Sequence, residues 1–379
     1  MKRIIVLSPS NIGTIASCTA NIIRSIQTES NVEVFPIVMY KENGGFDEFI
    51  NCRYLVDHTI SASAKVSFWQ KLKLFKSFKK EIRPDITIST LISVSTINVL
   101  SGGKDKKIGV FHSPLEQTKN VSYLNYILCS LSYRFLLNKL DYLYAVSETT
   151  KNDTEKHTGR DVRVVYNIHD FENIKRKSLT ELSEQESLLF AKPTVLYVGH
   201  LYDSKGVRRL IEAFAKIKTD ANLIMVGAGV DGSIPTAYLE LAQSLDVGDN
   251  TFFLGYQANP YKYMHNCTVF CLPSYSEGLP GVMIEALSLN KKIITTNSSL
   301  GVWEIMQCYE DYHDGINLPY ENELGIIISN NDTNNECVFQ LANAMQKLLK
   351  EFETTLPFDK SRFEGKSLVK YFILDNNEK

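Results

Sequence analysis

Short, wholly apolar runs alternate along this chain with longer amphipathic stretches of helical period, and that alternation leaves few architectures open. Ile4-Ile5-Val6-Leu7 begins the series, followed by a small-residue loop and a helical pattern from about Thr14 to Gln27. Asp85–Ile88, Lys107–Phe111, Tyr142–Val146 and Val162–Val165 continue it. Runs with no polar alternation belong to strands covered on both faces, and strands separated by helices predict doubly wound parallel sheets.

The series is interrupted once, by Lys-, Glu- and Ser-rich sequence that ends at Lys192-Pro193. It then resumes with Thr194–Val198, Asn222–Val226, Thr251–Leu254, Thr268–Leu272, Lys292–Thr295 and Gly325–Ile328. A chain of 379 residues also exceeds what one core usually organises. The expectation is an α/β protein with a Rossmann-like domain over 1–175, a linker over 176–192, a second Rossmann-like domain over 193–358, and a helix over 359–379 returning to the first domain. Two such domains would face a central cleft at the carboxyl ends of both sheets, where open α/β folds bind ligands.

Hydrophobic residues at 44% and charged residues at 22% exclude a disordered or disulfide-framework chain. The net charge of −2 conceals a division: residues 1–180 hold 25 Lys+Arg against 17 Asp+Glu, and residues 181–379 hold 16 against 26. Seven cysteines with no C-x-x-C pair point to a reducing compartment and to no structural zinc. The apolar run at residues 4–7 is shorter than a signal h-region, and the charge-free stretch Ile86–Gly103 holds as many Ser, Thr and Asn as aliphatic residues, too polar to span a membrane. The expected location is cytoplasmic, peripheral on the cytoplasmic face of the inner membrane.

The richest segment is Ser274–Leu287, directly after an apolar strand. Pro280 suits the first position of a helix, so Glu277-Gly278-Leu279 should form its entry loop, with backbone amides and the positive helix end available to an anion such as phosphate. Glu285 falls about one turn inside that helix. The competing reading is an ordinary loop with a solvated Glu. A second loop weighs against it: Gly199-His200-Leu201-Tyr202-Asp203-Ser204-Lys205-Gly206 follows the first strand of the second series, and Lys205 would aim an ammonium at the same anion.

Together these residues resemble the retaining GT-B glycosyltransferases of glycosyltransferase family 4, in the style of the bacterial capsule and O-antigen enzymes. Glu277 and Glu285 match that family's E-x7-E signature, and Gly199, Leu201, Lys205 and Gly206 match its first-loop signature. Val226–Gly229, Phe253–Tyr256 and Trp303-Glu304-Ile305 fall at further landmarks, as do Arg83-Pro84-Asp85, Ala145-Val146-Ser147, Val165-Tyr166-Asn167 and Asn167-x-x-Asp170. The resemblance implies that the first domain binds the acceptor and the second a nucleotide-sugar donor, a UDP-sugar being favoured. It implies that Lys205 binds the donor pyrophosphate, Glu285 the ribose hydroxyls, and Glu277 with Gly278, Leu279 and Pro280 the transferring sugar and phosphates. His112, at the end of a first-domain strand, matches the family's histidine against the donor sugar, although a satisfied core histidine is the competing reading. Gly13 would let the first loop approach the diphosphate. His200 stands where the family usually carries Arg, a shorter and often neutral donor.

Glycosyl transfer builds positive charge on the sugar and negative charge on the leaving diphosphate, so a site needs phosphate donors and sugar acceptors. The chain contains no D-x-D pair for a divalent ion. The simpler reading is metal-independent, with no cofactor and with Lys205 and the helix dipole in the metal's place. The resemblance implies retention at the anomeric carbon, by front-face attack.

The stretch Phe68–Arg83 carries Lys71, Lys73, Lys76, Lys79, Lys80 and Arg83 against the single acid Glu81, with Phe68, Leu72, Phe75 and Ile82 on one helical face. A basic amphipathic helix with aromatic residues suits an anionic membrane surface, while a crossover helix with solvated lysines is the competing reading. The uncharged stretch Val121–Tyr133 is expected in the core or lining an acceptor groove. His169, His265, Cys267 and Cys271 receive structural roles, and nucleic acid is not expected as a partner. The expected reaction is sugar transfer to a polyprenyl-diphosphate-linked or other saccharide acceptor. Its rivals are a soluble transferase acting on a small acceptor and a catalytically silent nucleotide-sugar-binding subunit. An NAD-dependent dehydrogenase is disfavoured, since no G-x-G-x-x-G follows either first strand.

Overall fold

The computed structural model describes residues 1–43, 47–49, 51–59, 66–115, 123–218, 220–229, 232–351, 354–364 and 372–373. The chain divides into two compact units, Met1–His169 with Ser361–Lys379, and Asp170–Lys360.

In the first unit the strands are β1 (Lys2–Ser10), β2 (Val32–Lys41), β3 (Arg53–Asp57), β4 (Ile86–Thr90), β5 (Lys106–Phe111), β6 (Tyr142–Ala145) and β7 (Arg163–Val164). They form one sheet in the order β3-β2-β1-β4-β5-β6-β7. All of its pairings are parallel, with Ile4 opposite both Val34 and Ile86. The apolar runs are buried on both faces: Ile4 and Val6 pack into one core with Ile88 and Val110, and Ile5 and Leu7 into another with Leu72 and Phe75. Strand β2 escapes a propensity reading because Pro36 interrupts it, yet Pro36 sits in register with Val6.

The second unit contains β8 (Thr194–Val198), β9 (Asn222–Val226), β10 (Thr251–Phe253), β11 (Val269–Leu272), β12 (Ile293–Thr296), β13 (Tyr320–Asn322) and β14 (Gly325–Ile328). Their order is β10-β9-β8-β11-β12-β14-β13. Every pairing is parallel except the terminal hairpin of β13 with β14. Strand order reverses between β1 and β4 in the first sheet and between β8 and β11 in the second. The loops at those switch points are where such sheets bind ligands.

Several expectations change. The stretch 176–192 is helical in part (Phe171–Ser178 and Glu184–Leu189) and belongs to the second unit, where Lys262 pairs with Glu186 at 2.8 Å and the Asn259 amide donates to the Lys177 carbonyl at 2.9 Å. The helix Phe68–Ile82 starts in a Ser67/Gln70 capping box and buries Leu72, Phe75, Lys79 and Ile82. Phe68 is therefore not on the core face; it and Trp69 are exposed, and the aliphatic stem of Lys79 takes the inward position. The helix Tyr123–Phe135 buries Tyr133 but exposes Tyr123, Leu124, Ile127, Leu128, Leu131 and Phe135, so core packing holds for one edge only; Val121 and Ser122 lie outside the described residues. The expected C-terminal helix also lies largely outside them. Phe372 packs on Tyr144 at 5.1 Å in the first unit, and the Lys2 ammonium donates to the Ile373 carbonyl.

Among the described residues no helix is long and apolar enough to cross a membrane. The seven cysteines are free thiols; Cys267 is buried just before β11 and Cys271 within it.

Candidate active site

In the second unit the loops after β8 and β11 are bound to each other by backbone contacts. The Tyr275 amide donates to the Ser204 carbonyl at 2.9 Å. Gly206 ends the short turn Asp203–Lys205 in a left-handed conformation, φ 69°, and a Cβ there would stand 1.9 Å from the Pro273 carbonyl oxygen. Only glycine allows that approach. Gly227 (φ 147°) does the same after β9, where a Cβ would stand 1.8 Å from the Gly199 oxygen. The Gly199 amide donates to Val226 and the Leu201 amide to Ala228, at 3.0 and 2.9 Å.

This framework brings Lys205 and Glu277 together: Nζ donates to Oε1 at 2.8 Å, with both side chains partly exposed. Gly278 is held from behind, its carbonyl accepting from the Ser299 hydroxyl at 2.9 Å and lying so close to Gly301 that a Cβ there would meet it at 2.1 Å. Pro280 is the cap before the helix Gly281–Ser288, not its first residue, because its ψ of 97° is extended. No side chain caps that N-terminus, so its leading amides are available to an external acceptor. Leu279 connects Gly278 to this cap. Within the helix, Glu285 accepts from the Tyr261 hydroxyl at 3.4 Å, and burial pushes its carboxyl up to about 7.

His200 is exposed and stacks on Tyr202 with ring centroids 4.8 Å apart, while its carbonyl accepts from the Tyr197 hydroxyl at 2.7 Å. Its backbone is anchored and its imidazole faces solvent on an aromatic support.

Arg209 escaped the sequence reading. It lies one turn beyond Lys205-Gly206 and is 2% exposed. It donates to the Pro273 carbonyl at 2.8 Å and to Asn330 at 2.8 Å, and its guanidinium covers the Tyr275 ring at 3.8 Å. It thereby ties the first loop, the Glu277 loop and the loop after β14 into one body. In the sequence alone it has the same signature as a solvated Arg on a helix. Trp303 and Glu304, on Leu300–Ile305, are buried, and the Trp303 indole donates to Asn297 at 2.9 Å.

In the first unit Gly13 follows β1 at the switch point. It begins the helix Gly13–Gln27 with φ 84°, and a Cβ there would meet nothing within 4 Å, so its conformation and not crowding calls for glycine. Asn11 fixes this loop to the end of β2 by exchanging hydrogen bonds with the Glu42 backbone at 2.7 and 3.1 Å. Leu91, following β4 at the same switch point, has φ 119°, a strained value for a branched side chain. His112 follows β5. Burial pushes its imidazole down to about 4 against a hydrogen bond to the Asn167 side chain that favours charge, so it is neutral at pH 7. Its Nε2 is buried and has no hydrogen-bond partner among the described residues. Among those residues no group of three or more His, Cys, Asp or Glu side chains is placed to hold a metal.

Two doubly wound α/β units of this kind define the GT-B class of fold. The Anabaena protein HepE, crystallised with UDP and glucose, shares it with a TM-score of 0.69 at 15% identity, covering 98% of this chain and 95% of that one. So does WaaG, a glycosyltransferase involved in lipopolysaccharide biosynthesis, at 0.66 and 14%, covering 98% and 99%. By sequence, residues 180–351, within the second unit, match the family model described as Glycosyl transferases group 1. An uncharacterized glycosyltransferase of Methanocaldococcus jannaschii is 28% identical over 68% of this chain and 65% of its own length. The Campylobacter jejuni N-acetylgalactosamine-N,N'-diacetylbacillosaminyl-diphospho-undecaprenol 4-alpha-N-acetylgalactosaminyltransferase is 29% identical over 54% and 55%. The chain thus spans between half and two-thirds of the length of these curated relatives.

Proposed function

We propose that the protein is a retaining, metal-independent glycosyltransferase that moves a sugar from a nucleotide-diphosphate donor, a UDP-sugar by preference, to a lipid-linked saccharide in bacterial surface-polysaccharide assembly. The observation that carries this reading is the pairing of Lys205 with Glu277 on the two switch-point loops of the second unit, beside an uncapped helix end and one turn from Glu285. Lys205 and the amides ahead of Val282 are donors for a diphosphate. As the glycosidic bond breaks, they stabilise the charge arriving on the leaving oxygen. Glu277 accepts from sugar hydroxyls once the diphosphate takes over its ammonium partner, and Glu285 accepts from the ribose.

In the first unit, the acceptor-binding unit on this reading, neutral His112 offers an unpartnered buried Nε2 to a sugar hydroxyl. In a front-face reaction the departing phosphate removes the acceptor's proton, so no side chain is required as a covalent nucleophile. Relatives named for diphospho-undecaprenol acceptors support a lipid-linked substrate. The exposed apolar face of Tyr123–Phe135 and the lysines with Trp69 on Phe68–Ile82 support peripheral contact with an anionic membrane. A relative named N-acetyl-alpha-D-glucosaminyl L-malate synthase, 28% identical over 46% of this chain, favours the small-acceptor alternative.

Transfer assays with uridine, guanosine and adenosine diphosphosugars, against undecaprenyl-diphosphate saccharide and malate in parallel, decide between them. Lipid-linked product with retained anomeric configuration is expected. Binding of every donor without transfer to either acceptor would overturn the enzyme reading.

A further inference from the structure

The basic residues of the first unit are not spread evenly. A cavity of about 410 Å³ opens at the amino-terminal edge of the first sheet, the edge opposite Gly13 and His112, between the Arg83-Pro84 entry to β4 and the Ser101–Asp105 entry to β5. Lys76, Lys79, Lys80, Arg83 and Lys104 line it, with Asp105 as their single acid. That carboxylate is already shared: buried Lys79 pairs with it at 2.7 Å and Lys107 at 3.4 Å. Burial lowers Lys79 to about 8, the mark of an ammonium that one shared carboxylate does not fully compensate. Among the described residues no ion pair engages the exposed side chains of Lys76, Lys80, Arg83 or Lys104.

Cations at the end of a helix are ordinary, since they face its negative pole, and Arg83 caps Phe68–Ile82 in that way. That explanation does not reach Lys104, which comes from a separate loop. Nor does it account for five cations converging on one concavity whose volume falls in the range of small-molecule sites. Convergent like charges raise one another's cost, and an anion removes it.

We propose that this cavity is an anion site of the first unit that takes a phosphate-bearing group. It is separate from the donor loops of the second unit, and the inference does not depend on the transferase reading. A phospholipid headgroup and a free phosphate present the same chemistry to Lys76, Lys80, Arg83 and Lys104.

The test compares a cavity variant, Lys76→Gln/Lys80→Gln/Lys104→Gln, with a variant of equal charge loss in the second unit, Lys175→Gln/Lys218→Gln/Lys350→Gln, and with Lys205→Ala. All the glutamine positions are exposed, so folding should survive, and thermal unfolding checks it. Calorimetric titration with inorganic pyrophosphate reads the free ion. Co-sedimentation with phosphatidylcholine vesicles, with and without phosphatidylglycerol, reads the headgroup. The expected result is a loss of about tenfold or more in at least one arm for the cavity variant, with the distant variant near wild type and with binding retained by Lys205→Ala. The arm that responds names the source. If the cavity variant matches the distant variant in both arms, or if pyrophosphate binding vanishes in Lys205→Ala while vesicle binding ignores the cavity, the proposal is overturned.

Discussion

The Lys205 ammonium lies 2.8 Å from the Glu277 carboxylate, joining residues 72 positions apart at neighbouring strand ends. On the proposed reading, a diphosphate entering this site has to compete with Glu277 for Lys205, and the pair is the resting state in which each side chain holds the other in position. Lys205→Ala should lower kcat/KM by about 10²–10³, the scale of losing one charged donor at a developing oxyanion. Steady-state kinetics with the preferred donor would test this, and a value within about twofold of wild type would remove Lys205 from the mechanism.

Glu285 carries a different liability. Its carboxyl is raised from an ordinary 4.5 to about 7 by burial, so the folded state holds its proton more tightly than the unfolded chain. The destabilisation is absent below 4.5, grows as pH rises through that window, and is complete above 7. Glu285→Gln should therefore raise the unfolding temperature at pH 8, with the gain shrinking towards pH 5, while weakening nucleotide binding about tenfold. Melting curves across pH with and without UDP read both effects. An unchanged melting temperature at pH 8 would show that folding does not raise the Glu285 carboxyl.

Gly206 and Gly13 separate two reasons for glycine. Both have positive φ, but a Cβ at Gly206 would strike the Pro273 carbonyl and one at Gly13 would meet open space. Gly13→Ala should cost about 1 kcal/mol, the conformational term alone. Gly206→Ala should cost about 2 kcal/mol more, because the Glu277 loop must move. Denaturant unfolding gives both values, and equal costs would contradict the close approach.

If Lys205 and the helix end carry the leaving charge, activity should stay within about twofold after dialysis against EDTA. Loss of activity on chelation, with recovery on adding Mg²⁺, would replace this account with a metal-assisted one.

Much of the fold follows from residue pattern alone. Runs such as Ile4–Leu7 and Thr194–Val198 carry their strand assignment locally, because a strand covered on both faces has no polar side to show. Glycine positions such as Gly206 mark turns for a similarly local reason. Strand β2, broken by Pro36, and the short antiparallel edge β13 depend on neighbours that no local window contains. The same limit applies to the site. Sequence spacing nominated Lys205, Glu277 and Glu285, but strand order sets the distance between Lys205 and Glu277. Burial, a property of the packed chain, decided that Arg209 is a core strut, that Phe68 faces outward while Lys79 faces inward, and that Glu285 holds its proton to about 7. Composition divided the charge into a basic and an acidic half, and only the tertiary arrangement gathered part of the basic half around one cavity. Periodicity is a local property of the chain, whereas proximity and desolvation are created when distant segments pack.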